Sequence, residues 1–130
     1  MKTGDSIPEL KVTPDAGLTQ RYKDASGDPN PIHVDEEFAK SVGLPGVILH
    51  GLYTMAQVAR ANNAAVGGDP RALKRLAVQF RGMGFPEQEI TVTGTVKEER
   101  DGTVVVDTVA EQGGNQIIRN AEAELTASAA

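Results

Sequence analysis

The sequence predicts an α+β domain in which an antiparallel sheet wraps around one central helix. Three observations carry this. Helix periodicity and helix caps fill the first half, up to "HGLYTMAQVARANNAA". From Leu73 onward the pattern turns to alternation in segments rich in valine, isoleucine and threonine. Two turn dipeptides, Asp101-Gly102 and Gly113-Gly114, then divide that half into hairpins. Helices first and strands after is the α+β order, and 130 residues that are 39% hydrophobic suffice for a single domain, 1–130, with one modest core.

The first helix is expected in "KVTPDAGLTQRYKDASGD". Thr13 is placed as N-cap, Pro14 at the first helical position and Asp15 in the first turn, with Leu18, Tyr22 and Ala25 as the apolar face and Gly27 as the stop. Asp35 reads as the N-cap of a short helix, "EEFAKSVG", ended by Gly43. The central helix follows, about three turns long, with Leu52, Met55, Ala56, Ala59 and Asn63 on one side. "LKRLAVQF" sets Leu76, Val78 and Phe80 on one strand face and Arg75, Ala77 and Gln79 on the other. "EITVTGTVKEE", "TVVVDTVAEQ" and "NQIIRNAEAELTA" complete a sheet of at least four strands.

Thirteen lysines and arginines against 18 acidic residues give a net charge of -5, which disfavours a polyphosphate backbone and so predicts no nucleic-acid partner. "PRALKRLAVQFRG" runs against this balance, with Arg71, Lys74, Arg75 and Arg81 and no acid. No apolar run reaches membrane length and the start, "MKTGDSIPEL", has no apolar stretch, so the expectation is a soluble cytoplasmic protein with no membrane partner. The absence of cysteine excludes disulfides, thiolate metal sites and cysteine nucleophiles.

Chemistry concentrates in "SGDPNPIHVD". Pro29 and Pro31 have fixed φ and push Asp28 and Asn30 out of the α region, so the loop has few conformations to lose. Asn30 is placed to cap the next turn. Asp28 and His33 are thereby held at a nearly fixed separation, as an acid and base pair requires. The same residues also serve as ordinary turn formers, with His33 capping a neighbouring element. A second feature is "VILHGLYTM", which brings His50-Gly51 to the start of the central helix. There unpaired N–H groups can bind a developing enolate oxygen, although Gly51 also suits tight packing and His50 a cap.

"YKDASGDPNPIHVDEEFA" followed by "GVILHGLYTMA" resembles the MaoC-like, (R)-specific enoyl-thioester hydratase family, hydratase 2, over most of the chain. The Gly-Asp-x-Asn-Pro-x-His motif carries the resemblance and the His-Gly pair supports it. It implies a hotdog fold, with two such units pairing as a homodimer or heterodimer. It also implies reversible syn addition of water to a trans-2-enoyl thioester, giving a (3R)-3-hydroxyacyl product on coenzyme A or acyl carrier protein, with no cofactor or metal. By motif position Asp28 and His33 would be the dyad, Asn30 and His50 supporting residues, and the Gly51 N–H the thioester-binding donor. Many members hold the aspartate with a serine two turns into the central helix. Here Ala59 stands nearest, which leaves Thr54 or Gln57 as substitutes, or the contact absent. Arg75 and Arg81 are the candidates for the phosphates of coenzyme A or for an acidic carrier protein.

Two rivals share the fold: a thioesterase, whose water attacks the carbonyl carbon, and a non-catalytic partner subunit, which would be expected to lack the dyad. A zinc hydrolase and a serine hydrolase are disfavoured because H-E-x-x-H and G-x-S-x-G are both missing.

Overall fold

In the computed structural model, which describes residues 1–126, the chain runs β1 (Leu10–Val12), α1 (Leu18–Ser26), α2 (Glu36–Ser41), α3 (Gly51–Ala64), β2 (Leu73–Phe80), β3 (Ile90–Arg100), β4 (Thr103–Gln112) and β5 (Asn115–Thr126). A 3₁₀ turn at Pro31–His33 links α1 to α2. The strands form one antiparallel sheet in the order β1-β3-β4-β5-β2. Both predicted hairpins are present, and Asp101, Gly102, Gly113 and Gly114 all have positive φ, which two-residue hairpin turns of this kind demand.

The sheet curls around α3, which contacts all five strands. Val58 and Ala61 of the helix join Val92, Val96, Val106, Ile118 and Leu125 in the apolar core. Asn62, wholly buried, donates its amide to the Thr108 hydroxyl at 3.1 Å and so pins helix to sheet with one polar contact. No helix among the described residues is long and apolar enough to cross a membrane.

Four details differ from the sequence expectation. Helix α1 starts at Leu18 with Gly17 as its cap, because Asp15 turns the chain by accepting from the Gly17 N–H at 2.9 Å and pairs with Arg21; Ala25 of its expected apolar face is exposed. Helix α3 runs 14 residues and buries Thr54, Gln57, Val58, Ala61 and Asn62, while Leu52 is 65% exposed. Strand β1, three residues long, joins the sheet edge through β3. Beyond Val78 the pairing of β2 shifts by one residue, where Asn120 of β5 forms a bulge at φ 49°. Phe80 consequently leaves the core and is 52% exposed.

Candidate active site

The stiff loop satisfies its own backbone. The Asn30 N–H donates to Asp28 Oδ1 (3.1 Å), the Ile32 N–H to Asn30 Oδ1 (3.2 Å) and the His33 N–H to the Asn30 carbonyl (3.2 Å), so all three donors between the prolines and the histidine are used locally. Asn30 is therefore the expected cap of the 3₁₀ turn. Gly27, at φ 75°, ends α1 and delivers the chain into this loop.

His33 is 8% exposed and its Nδ1 lies 2.8 Å from the Ile48 carbonyl oxygen. A carbonyl only accepts, so Nδ1 carries the proton and Nε2 of the neutral ring is left with its lone pair. The segment that receives this bond is itself tied down, since the Ile48 N–H donates to the Ile32 carbonyl and the Leu49 N–H to that of Gly84. The two residues after Ile48 are Leu49 and His50. The apolar run "VIL" thus fastens the loop to the N-terminus of α3.

There the rings of His33 and His50 stack, with centroids 3.9 Å apart and planes 22° off parallel. Tyr22 of α1 covers His50 from 4.6 Å. One carboxylate oxygen of Asp28 and one nitrogen of each histidine lie within 4.8 Å of one another. A metal ion about 2.0–2.1 Å from both nitrogens would have to sit in both ring planes. Stacked rings send their lone pairs out side by side, so this pairing does not suit a metal. The Asp28 carboxylate is partly exposed and, with Tyr22, Ser26, His50, Gly51 and Phe80, lines a cleft of about 330 Å³. That is within the size range of small-molecule pockets.

Gly51 opens α3, so its N–H has no partner within the helix. A Cβ added there would sit 3.2 Å from the Phe80 ring. Gly51→Ala is expected to crowd the cleft floor while leaving the helix intact, lowering kcat/KM for the substrate proposed below by about 10-fold or more with an unchanged urea midpoint. Steady-state kinetics beside urea unfolding checks both halves.

His50 occupies the N-cap position without a capping bond from its side chain. It is 3% exposed, and neither ring nitrogen has a hydrogen-bond partner. Burial first, and the His33 ring second, hold its pKa below the ordinary 6.5, with Asp28 opposing. The unfolded chain therefore takes up a proton at this residue at higher pH than the folded one, so stability falls as pH drops below about 6.5. The depressed carboxyls of Asp15, Asp69 and Glu122 have ordinary values of 3.8 and 4.5 and titrate below this window. The urea midpoint is expected to be lower at about pH 5.5 than at about pH 7.5, and His50→Phe to flatten that difference.

The remaining candidates separate. Thr54 donates its hydroxyl to the Gly51 carbonyl at 2.7 Å, and Gln57 bonds the Tyr53 carbonyl and Arg60, so neither substitutes for the serine. Asp28 is instead positioned by its own turn. Arg75 lies on the outer sheet face, 3.2 Å from Glu122 and 3.8 Å from Glu124, in a charge ladder with Lys97 and Arg100. Two carboxylates thus already pair with Arg75, which weakens it as a phosphate contact. Arg81 is exposed directly after Phe80, and its guanidinium donates to Gln79 Oε1 at 3.3 Å. Tyr22 and Phe80 were not expected as cleft walls; Tyr22 stands six residues before Asp28, close enough in sequence to have been suspected. A second cleft, of about 400 Å³, brings Glu36 and Glu87 together beside Gly46 and Phe85, but holds neither histidine.

A sheet wrapped around one helix, with an acid and two imidazoles gathered at that helix's N-terminus, defines a hotdog-fold protein equipped for acid and base chemistry. The MaoC like domain matches residues 2–118, and the chain belongs to the MaoC-like dehydratase family. It is 34% identical over 120 residues to enoyl-CoA hydratase ChsH3 of Mycobacterium tuberculosis, covering 81% of this chain and 41% of that protein. It is 38% identical over 86 residues to the peroxisomal enoyl-CoA hydratase 2 of Arabidopsis thaliana, covering 65% and 27%. A solved MaoC-like dehydratase superposes with a TM-score of 0.93 at 34% identity, over 98% of this chain and 41% of that one. The (R)-hydratase of A. caviae shares the fold at 20% identity, with a TM-score of 0.87 over 97% and 96% of the two chains. The chain thus spans well under half the length of the curated relatives named here.

Proposed function

We propose that this chain catalyses the reversible hydration of trans-2-enoyl thioesters to (3R)-3-hydroxyacyl thioesters. The observation that carries the reading is the convergence of Asp28 with His50 and Gly51 on one cleft, with His33 stacked on His50 and one of its ring nitrogens within 4.8 Å of an Asp28 oxygen. Water held between the Asp28 carboxylate and His33 Nε2 gives up a proton to the dyad as its oxygen bonds to C3. The π pair of the C2–C3 double bond shifts toward the carbonyl carbon, and the negative charge collects on the thioester oxygen. The Gly51 N–H, at the positive end of α3, is placed to bind that oxygen. Collapse of the enolate takes the proton back from the dyad onto C2, so water has been added and nothing else consumed.

His33 suits this cycle because its Nδ1–H is committed to Ile48 and only Nε2 exchanges the proton. Arg81, next in sequence to the cleft residue Phe80, remains the candidate for a phosphate of coenzyme A or for an acidic carrier protein. Strand β2 ends the sheet with one unpaired edge, which supports assembly into a homodimer, or a heterodimer in which this chain is the catalytic member. The test is crotonyl-CoA mixed with the purified chain. Loss of the conjugated double-bond absorbance is the expected result; release of free coenzyme A without hydration would establish the thioesterase, and inertness of the chain alone would favour an obligate heterodimer.

A further inference from the structure

His50 is the one buried group in the cleft whose polar atoms the protein leaves unused. Both nitrogens are shielded from solvent and unbonded, an unfavourable situation unless a ligand or water completes it. The orphaned atoms are also correctly placed. Three atoms no more than 4.8 Å from one another leave a point within about 2.8 Å of each, inside the reach of a hydrogen bond. Hydrogen bonds tolerate the off-plane approach that the stacked rings impose, where a metal would not.

We infer that His50 is a third holder of the reactive water, donating a ring N–H to its oxygen while Asp28 and His33 accept its two protons. This rests on the hydration reading above and deepens it. The three contacts leave one lone pair of the water free, and that pair attacks C3. Tyr22 and His33 both pack against the ring of His50, which holds it in place without a hydrogen bond from the protein. The groups facing it are Asp28 from the loop, His33 from the 3₁₀ turn and Tyr22 from α1.

The experiment separates ring nitrogens from ring stacking. His50→Phe keeps an aromatic ring between Tyr22 and His33 but no polar atom; His50→Gln keeps a polar amide but no ring. The expected order of kcat for crotonyl-CoA hydration is wild type, then Gln, then Phe, with Phe about 10- to 100-fold down and KM within about twofold. Circular dichroism confirms that each variant is folded. A Phe variant at the wild-type kcat, or a Gln variant no better than Phe, overturns the proposal in favour of simple packing. If Phe does not fold, Gln is compared with His50→Leu, and equality of those two overturns it equally. A wild-type chain that hydrates no enoyl thioester overturns the function and this role with it, whereas an active wild type with an unaffected Phe variant overturns this role alone.

Discussion

Asp28→Asn is expected to lower kcat for enoyl-thioester hydration by about 10²- to 10⁴-fold while leaving the fold unchanged. The structure makes this substitution clean. Asp28 uses Oδ1 to accept from the Asn30 N–H, and asparagine offers a carbonyl oxygen at the same place, so the turn that stiffens the loop is kept. What is lost is the negative charge and the ability to take a proton. With neither Thr54 nor Gln57 bonded to the carboxylate, no side chain of α3 is disturbed either among the described residues. Steady-state kinetics with crotonyl-CoA, alongside urea unfolding, separates the two quantities. A variant within about threefold of wild type would remove Asp28 from the chemistry and leave it as a turn former.

How far the sequence revealed this site depends on whether the determinant is local. Asp28, Pro29, Asn30 and Pro31 act on their own backbone: the cap expected of Asn30 is present, and Asp28 closes a turn on the Asn30 N–H. The hairpin turns were legible for the same reason, since Asp101-Gly102 and Gly113-Gly114 need only their own φ values. The buried face of α3 was not. Its inward side carries Thr54, Gln57 and Asn62 beside Val58 and Ala61, so polarity does not mark which side is inside, and Leu52 points away from the core. Strand β1 is too short to show alternation and is defined by its distant partner β3. The exposure of Phe80 depends on a bulge in β5, some forty residues later in the chain, which no reading of "LKRLAVQF" alone contains. The pairing of Arg75 with Glu122 is equally nonlocal.

The stack of His33 on His50 belongs to this second kind. Both residues stood out as candidates from their local motifs, but their contact depends on the bond from His33 to the Ile48 carbonyl, which folds two separate motifs into one site. That bond also shapes what loss of the imidazole does. His33→Ala is expected to cost about 10³-fold or more in kcat, and also stability, because the Ile48 carbonyl loses its donor and a buried ring is replaced by a void. About 2–4 kcal/mol is the expected range, measurable as a lower urea midpoint. Stability loss alone does not explain a catalytic defect if the variant remains folded under assay conditions, so the decisive comparison is the double variant. Groups that share one proton act as a unit, and once one is gone the other has little left to do. Asp28→Asn with His33→Ala is therefore expected to be no more than about 10-fold slower than the worse single variant, far from the product of the two effects. The effects on stability, by contrast, are expected to add simply, since Asp28→Asn leaves the loop's hydrogen bonds in place. Rate losses that multiplied in full would mean that carboxylate and imidazole contribute independently, and a dyad passing one proton between water and C2 would no longer describe this site.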